Sequence, residues 1–297
     1  MKSGPQKLVL AALIVQVIFA GTNFVAVRFS NLELPPFWGA GLRFSLAGLI
    51  FLAIVGIKRI ELPRGKALEG AIIYGVLNFG VSYALTYYAL VSVTAGLASV
   101  IFSLVPIATL FLASAHRQEH LDTRGLGGGI VAIAGTAIIF NEQLTLAIPT
   151  TALLALLGAV VAIAEASVVL KHFPRANPYG TNAVGMLVGS AMLVALSLLA
   201  QERWSIPSKF PTIISVVYLI VPGSVFLFAL YLFVISRWTA SATNYLFVLI
   251  PIVTVLVASS LAGEVVTLAF VLGTALVLAG VYGGALSRTS QKQNPGA

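Results

Sequence analysis

TAGLASVIFSLVPIATLFLASAHRQE, residues 94–119, and TASATNYLFVLIPIVTVLVASSLAGE, residues 239–264, are two copies of one stretch. A shift of 145 positions superposes them without a gap. Thr94 falls on Thr239, Ala95 on Ala240, Phe102 on Phe247 and Leu104 on Leu249. Pro106-Ile107 falls on Pro251-Ile252, Thr109 on Thr254, Ala113-Ser114 on Ala258-Ser259 and Glu119 on Glu264, which makes ten identities in 26 positions. The register runs on, with Gly128, Ala134 and Gly135 on Gly273, Ala279 and Gly280. A duplicated apolar unit decides topology, so it is read before any motif.

The units belong in a bilayer. Of 297 residues, 59% are hydrophobic and 9% charged, where a soluble chain carries roughly a quarter charged residues. Most of the surface must therefore face lipid. No cysteine is present, which removes disulfides and thiolate metal sites. The formal charge of +8 sits in short loops between apolar segments, as membrane topology requires, and does not indicate nucleic acid.

About ten segments approach the ~20 apolar residues that span a bilayer. They lie near 7–28, 36–57, 68–90, 94–115, 123–140, 148–170, 181–200, 211–235, 240–262 and 266–286. All are expected to be helices, since backbone in hydrocarbon must satisfy its own hydrogen bonds. The first segment mimics a signal peptide, with Lys2 and Lys7 before an apolar run, but that run continues through Val27 and the segment reads as an uncleaved span. With a cytoplasmic N-terminus, 13 Lys and Arg lie inside, namely Lys2, Lys7, Lys58, Arg59, Arg64, Lys66, Arg117, Arg124, Lys171, Arg175, Arg237, Arg288 and Lys292. Three lie outside, namely Arg28, Arg203 and Lys209. That asymmetry predicts both termini inside.

Five spans per copy is an odd number, so the second copy must cross in the opposite sense. The expected fold is an all-α membrane protein of ten transmembrane helices in two inverted five-helix repeats, residues 1–144 and 145–297 of one integral domain. Inverted repeats are a hallmark of secondary transporters, whose substrate site lies near the midplane between the halves.

Within that frame the chemistry-bearing residues are few. Arg43 and Glu165 are ionisable groups inside spans, which makes them functional candidates by default. Arg43 lies about 12 Å into span 2 at 1.5 Å per residue. Its structural alternative is a tie to backbone carbonyls or to polar groups of span 1 such as Asn23. Glu165 is the expected proton carrier or cation ligand, its alternative a protonated carboxyl bonded to a neighbouring helix. A third set is aromatic and polar: Tyr74, Asn78, Tyr83 and Tyr87 on span 3, Tyr218 and Tyr231 on span 8, Asn244-Tyr245 at the start of span 9. With Asn23, Trp38, Ser99 and Ser103 these suit an amphipathic pocket. Tyr87, Tyr88 and Trp238 read equally as interfacial belt residues. Pro106 and Pro251, each mid-span, are candidate symmetric kinks or hinges.

The run Gly125-Leu126-Gly127-Gly128-Gly129 lacks nucleotide-binding spacing and a preceding strand. It reads as close helix packing, as does Gly280-x-x-x-Gly284, with spans 4, 5, 9 and 10 forming a tight scaffold. Protease, hydrolase and P-loop signatures are missing, and His116, His120 and His172 fall in expected cytoplasmic loops as a solvated face. No enzyme, cofactor or metal site is expected. The expected partners are a small organic solute and the lipid bilayer, with a homodimer left open.

Phe19-Ala20-Gly21-Thr22-Asn23-Phe24, then Pro35-Pro36-Phe37-Trp38 leading to Leu42-Arg43-Phe44, then Tyr88-Ala89-Leu90 through Pro106, and in the second copy Pro251 with Gly263-Glu264, together resemble the EamA-type bacterial members of the drug/metabolite transporter superfamily. The resemblance covers nearly the whole chain. It implies an exporter of amino acids, other metabolites or toxic organics, with a central cavity between the halves. Many relatives carry tryptophan just before the small-residue pair of span 1, where this chain has Phe19-Ala20. The resulting expectation is a secondary transporter of a bacterial cytoplasmic membrane working outward by alternating access. A membrane-embedded structural or sensory subunit is the alternative.

Overall fold

The computed structural model of the protein describes residues 4–120, 127–135, 138, 149–238, 240–244 and 246–283. Among these the secondary structure is all helix and turn, with no strand. The helices are α1 (Gly4–Ser30), α2 (Pro36–Ile57), α3 (Lys66–Ala89), α4 (Ala95–Ala115), α5 (127–135), α6 (Thr150–His172), α7 (Pro178–Leu199), α8 (Phe210–Ile235), α9 (Ala240–Asn244), α10 (Leu246–Leu261) and α11 (Leu268–Val281). Seven of them, α1 to α4 and α6 to α8, are long and apolar enough to cross a membrane, and α10 and α11 are shorter apolar helices. Both ends of the expected fifth span, Gly125 included, lie outside the described residues, as do Tyr245 and Gly284.

Local chemistry fixes the ends. Pro36 opens α2, where a missing N–H costs nothing. Thr94, Asn177 and Thr267 cap α4, α7 and α11, each side-chain oxygen accepting a backbone N–H of the first turn. Gly263 turns the chain between α10 and α11 with φ +63°, a conformation that side chains with a Cβ resist. The outward stripes are apolar: Leu8, Leu154 and Leu256 are each at least 60% exposed. Water would penalise such a surface and lipid does not. The molecule is a multi-pass membrane protein.

Small residues bring the helices together. α2 lies along α7, with Gly48 and Gly41 against Leu187 and Val194. A methyl group added at Gly75 of α3 would sit 2.5 Å from the Gly185 carbonyl oxygen, and one at Gly189 would sit 2.4 Å from Phe79 Cβ. α5 and α11 meet backbone to backbone in a reciprocal way. A methyl at Gly135 would lie 2.6 Å from the Gly273 oxygen, and a methyl at Gly280 would lie 2.6 Å from the Gly128 oxygen. These are the four duplicated glycines of the sequence, and small residues are what let membrane helices approach this closely.

Two helices are distorted. α3 is π-helical over Gly75–Ser82 and α8 over Val221–Phe226. Adding 145 to 75–82 gives 220–227, so the two distortions fall at the same place in the repeat. The expected pair of proline kinks is not matched in form. α4 breaks at Ser103-Leu104 and Pro106 sits in the first turn of the resumed helix. Pro251 lies inside the unbroken α10. Ser103 supports the break, its hydroxyl bonded to the Val100 carbonyl at 2.6 Å.

Candidate functional site

A buried cavity of about 60 Å³ lies where α1, α2, α3, α4, α6, α8 and α10 converge. Its walls are mostly aromatic and aliphatic: Phe24, Phe102, Phe228, Phe247, Leu246 and Ile250 among others. Its polar lining is Asn23, Arg43, Asn78, Ser82, Tyr83, Thr86 and Tyr231. Five residues singled out from sequence therefore meet here: Asn23, Arg43, Asn78, Tyr83 and Tyr231.

Arg43 is the centre of this wall, only 1% exposed. Its Nε–H donates to Ser224 Oγ at 2.8 Å, one Nη donates to the Gly223 carbonyl at 2.7 Å and the other makes a long 3.4 Å contact with Tyr87 Oη. The guanidinium carbon also lies 5.1 Å from the Tyr83 ring centre and 4.9 Å from that of Phe44, a favourable placement over aromatic faces. Gly223 is available because α8 winds as a π-helix here: the Leu227 N–H, which would bond the Gly223 carbonyl in an α-helix, goes to the Pro222 and Ser224 carbonyls. The same carbonyl accepts from Asn23 Nδ2 at 3.0 Å. One backbone oxygen thus ties α1, α2 and α8 together, and Asn23 Oδ1 is left without a partner.

A second buried network abuts the cavity through Tyr231. Tyr231 Oη donates to Asn244 Oδ1 at 3.0 Å and lies 2.7 Å from Ser167 Oγ. Asn244 Nδ2 donates to Ser167 Oγ at 3.0 Å and to Thr109 Oγ1 at 2.9 Å. Four elements, α4, α6, α8 and α9, are joined by side chains whose hydrogen bonds are all made. Such closed networks position helices strongly in a low dielectric.

Other sequence candidates lie elsewhere. Trp38 sits at the start of α2, stacked on Trp204 with ring centres 4.4 Å apart and bonded to the Ser205 carbonyl. Ser99 and Ser103 return their hydroxyls to their own helix. Tyr74 is buried beside Phe79 and takes a 3.4 Å contact from Asn78. Glu165 is away from the cavity, on the same side of α6 as the exposed Leu154 and Val161, and its Oε1 lies 3.0 Å from His116 Nε2. His116 lies in the turn that follows α4 and is exposed, as expected, and it also pairs with a carboxylate of α6. Tyr87, read as an interfacial belt residue, is fully buried at Arg43. Gly223, Ser224, Ser167 and Thr109 were not singled out. The sequence signal for the first two is Pro222-Gly223 in mid-span.

The end of the bundle where α1 stops and α2 and α4 begin is tied by carboxylates. Glu264 Oε1 accepts from Arg28 Nη1 at 2.5 Å and from Ala95 N at 2.8 Å, while Oε2 accepts from Gly96 N at 3.0 Å. The carboxylate therefore caps α4 and pins α1 to it. Nearby, the Glu202 carboxylate accepts the Phe37 and Trp38 N–H groups at 3.1 and 2.8 Å, capping α2.

A helical bundle with a central, largely apolar cavity and a buried charge fits a membrane transporter. The comparisons place it further. The profile of the EamA-like transporter family matches residues 7–141 and again 150–284, so the chain belongs to that family. It is similar to an "Uncharacterized transporter" of Archaeoglobus fulgidus, 29% identical over 91% of this chain and 96% of that one. It is also similar to the "Uncharacterized inner membrane transporter YedA" of Escherichia coli, 28% identical over 85% and 82%. A "Probable amino-acid metabolite efflux pump" of Salmonella typhimurium is 26% identical over 91% and 92%. A solved crystal structure shares the fold with a TM-score of 0.72 at 17% identity, covering 95% of this chain and 98% of that one. The family and the named relatives point to a transporter, not an enzyme.

Proposed function

We propose that the protein is a secondary active exporter of small organic metabolites, working by alternating access through ten spans in two inverted halves, residues 1–144 and 145–297. The observation that carries this reading is the central cavity lined from both halves, with α1 to α4 on one side and α6, α8 and α10 on the other. Three further observations support it. The family profile matches twice, once per half. The π-helical stretches share one place in the repeat. The α5–α11 glycine contacts are reciprocal, as a two-fold axis between inverted copies demands.

The direction is outward by analogy with the Salmonella relative's printed name. The location is the cytoplasmic membrane by analogy with YedA. Both termini are inside by the charge count. Arg43, Asn23, Asn78, Tyr83 and Tyr231 contact the solute, and the Glu165–His116 pair carries the coupling proton. The test is flux in proteoliposomes against a panel of amino acids, organic acids, amines and dyes, with and without a pH gradient. Flux above empty vesicles for at least one solute is expected. None for any solute would leave a non-transporting membrane subunit as the better reading.

A further inference from the structure

Resting on the transporter reading, we infer that the central cavity takes a small organic monoanion, a carboxylate on an apolar body, and not an amine or a zwitterion. Arg43 lines the cavity nine-tenths and more buried, and none of the other seventeen described residues in the lining is acidic or basic. Among the described residues the positive charge is met by neutral groups: Ser224, the Gly223 carbonyl, at long range Tyr87, and the rings of Phe44 and Tyr83. A guanidinium has five N–H donors in a fixed fork matched to two carboxylate oxygens. Three of these donors have contacts here, the Tyr87 one at the weak limit of 3.4 Å.

A buried charge without a counter-ion is costly in a membrane and marks a solute path. A carboxylate entering the cavity removes that cost by supplying the missing charge. An amine entering it meets a like charge in a low dielectric with nothing acidic to hold it. A zwitterion would gain at one end and lose at the other. The rest of the wall suits an apolar body: Phe24, Phe102, Phe228 and Phe247 surround the space. A 60 Å³ space has room for about four to six waters at 10–15 Å³ each. That favours a short aliphatic or single-ring acid over a large one.

The test uses four isosteric probes on the purified wild-type protein: 3-phenylpropanoate, its neutral amide, phenethylamine and phenylalanine. Binding is read as a rise in melting temperature, which needs no transport. The acid should raise it by about 2 °C at ten times its dissociation constant, and the other three should do so only at concentrations at least tenfold higher. Phenethylamine or phenylalanine binding as tightly as the acid would overturn the inference, as would no shift with the acid at any concentration. Arg43→Gln should weaken the acid about 30-fold or more, with Arg43→Lys between. Unchanged acid binding in a folded Arg43→Gln protein counts against it. If Arg43→Gln does not fold, the wild-type probe series decides alone. Flux of the amine without flux of the acid in proteoliposomes would keep the transporter reading and sink this one.

Discussion

Glu264 is the point at which a single substitution should open the bundle. In the closed structure its carboxylate accepts from Arg28, Ala95 N–H and Gly96 N–H, with the Glu264 side chain 9% exposed and Arg28 34%. Glu264→Gln keeps the shape but changes three things. One oxygen becomes an N–H₂ group that faces the Gly96 N–H, donor against donor, leaving a buried amide unpaired at about 1–3 kcal/mol. The ion pair with the third-exposed Arg28 is lost, at about 0.2–1 kcal/mol. The favourable placement of a negative charge at the α4 N-terminus goes with it, at about 0.3–1 kcal/mol. The sum, roughly 1.5–5 kcal/mol, corresponds to a change of about 10- to 4,000-fold in the open fraction at 1.4 kcal/mol per decade, provided these contacts exist only when this end is closed.

The chain has no cysteine, so Val27→Cys introduces a single thiol at a cavity-lining position 2% exposed and adjacent to Arg28. Its rate of reaction with a water-soluble maleimide follows the open fraction when opening is faster than labelling. Glu264→Gln should raise that rate by more than tenfold, and Arg28→Gln by about fivefold or less. Equal labelling in Glu264→Gln and its parent, with unchanged melting temperature, would refute the assignment of this cap as a closure.

Gly135→Ala and Gly280→Ala should each lower the melting temperature by a similar amount, about 2–5 °C for a strain of 1–3 kcal/mol, because both added methyls meet backbone at 2.5–2.6 Å. Gly56→Ala, with nothing within 4 Å, should not, and a thermal melt of the three separates them. Asn244→Ala leaves Tyr231 without its acceptor and Thr109 and Ser167 without a donor, costing about 1–3 kcal/mol in stability. Tyr231→Phe should cost less in the same denaturation assay. Glu33 is held down from about 4.5 to about 2, first by the Ser208 hydroxyl and then by the Lys209 N–H. Its lowered value means the tie between the α1–α2 and α7–α8 loops is present above the unfolded value and is lost only as pH falls through about 2. Pepsin at pH 3 should therefore cut the 200–209 segment slowly in the wild type and faster in Glu33→Gln. Glu165→Gln should abolish the dependence of flux on a pH gradient, and retained dependence would remove the Glu165–His116 pair from coupling.

Helix positions were legible in the sequence because lipid imposes one pattern on every span. The observed ends of α2 coincide with the expected 36–57, and those of α6 and α7 lie within three residues of theirs. The site was legible to the extent that it is made of side chains that hydrocarbon penalises. Asn23, Arg43, Asn78, Tyr83 and Tyr231 stand out for that reason and meet at one cavity. Tyr87 was ambiguous because its depth near a helix end suits the interface as well as the interior, and only the rotation of α3 decides. Glu165 has the composition of a core group but lies on the side of α6 that carries Leu154 and Val161. The Gly185-x-x-x-Gly189 contact with α3 was available as a pattern and passed unread.

What no side-chain reading could deliver is the Gly223 carbonyl. A backbone acceptor has no residue type to announce it, and it becomes available only because α8 winds as a π-helix there. The matching distortion in α3 occurs with almost unrelated residues, since of positions 75–82 and 220–227 only Val76 and Val221 agree. The backbone shape is repeated while its chemistry is divided. α3 presents the amide of Asn78 to the cavity, and α8 presents a bare carbonyl that Asn23 and Arg43 share. Of the two bends, the one in α8 displays the acceptor that holds the Arg43 guanidinium, and that guanidinium gives the central cavity its positive side.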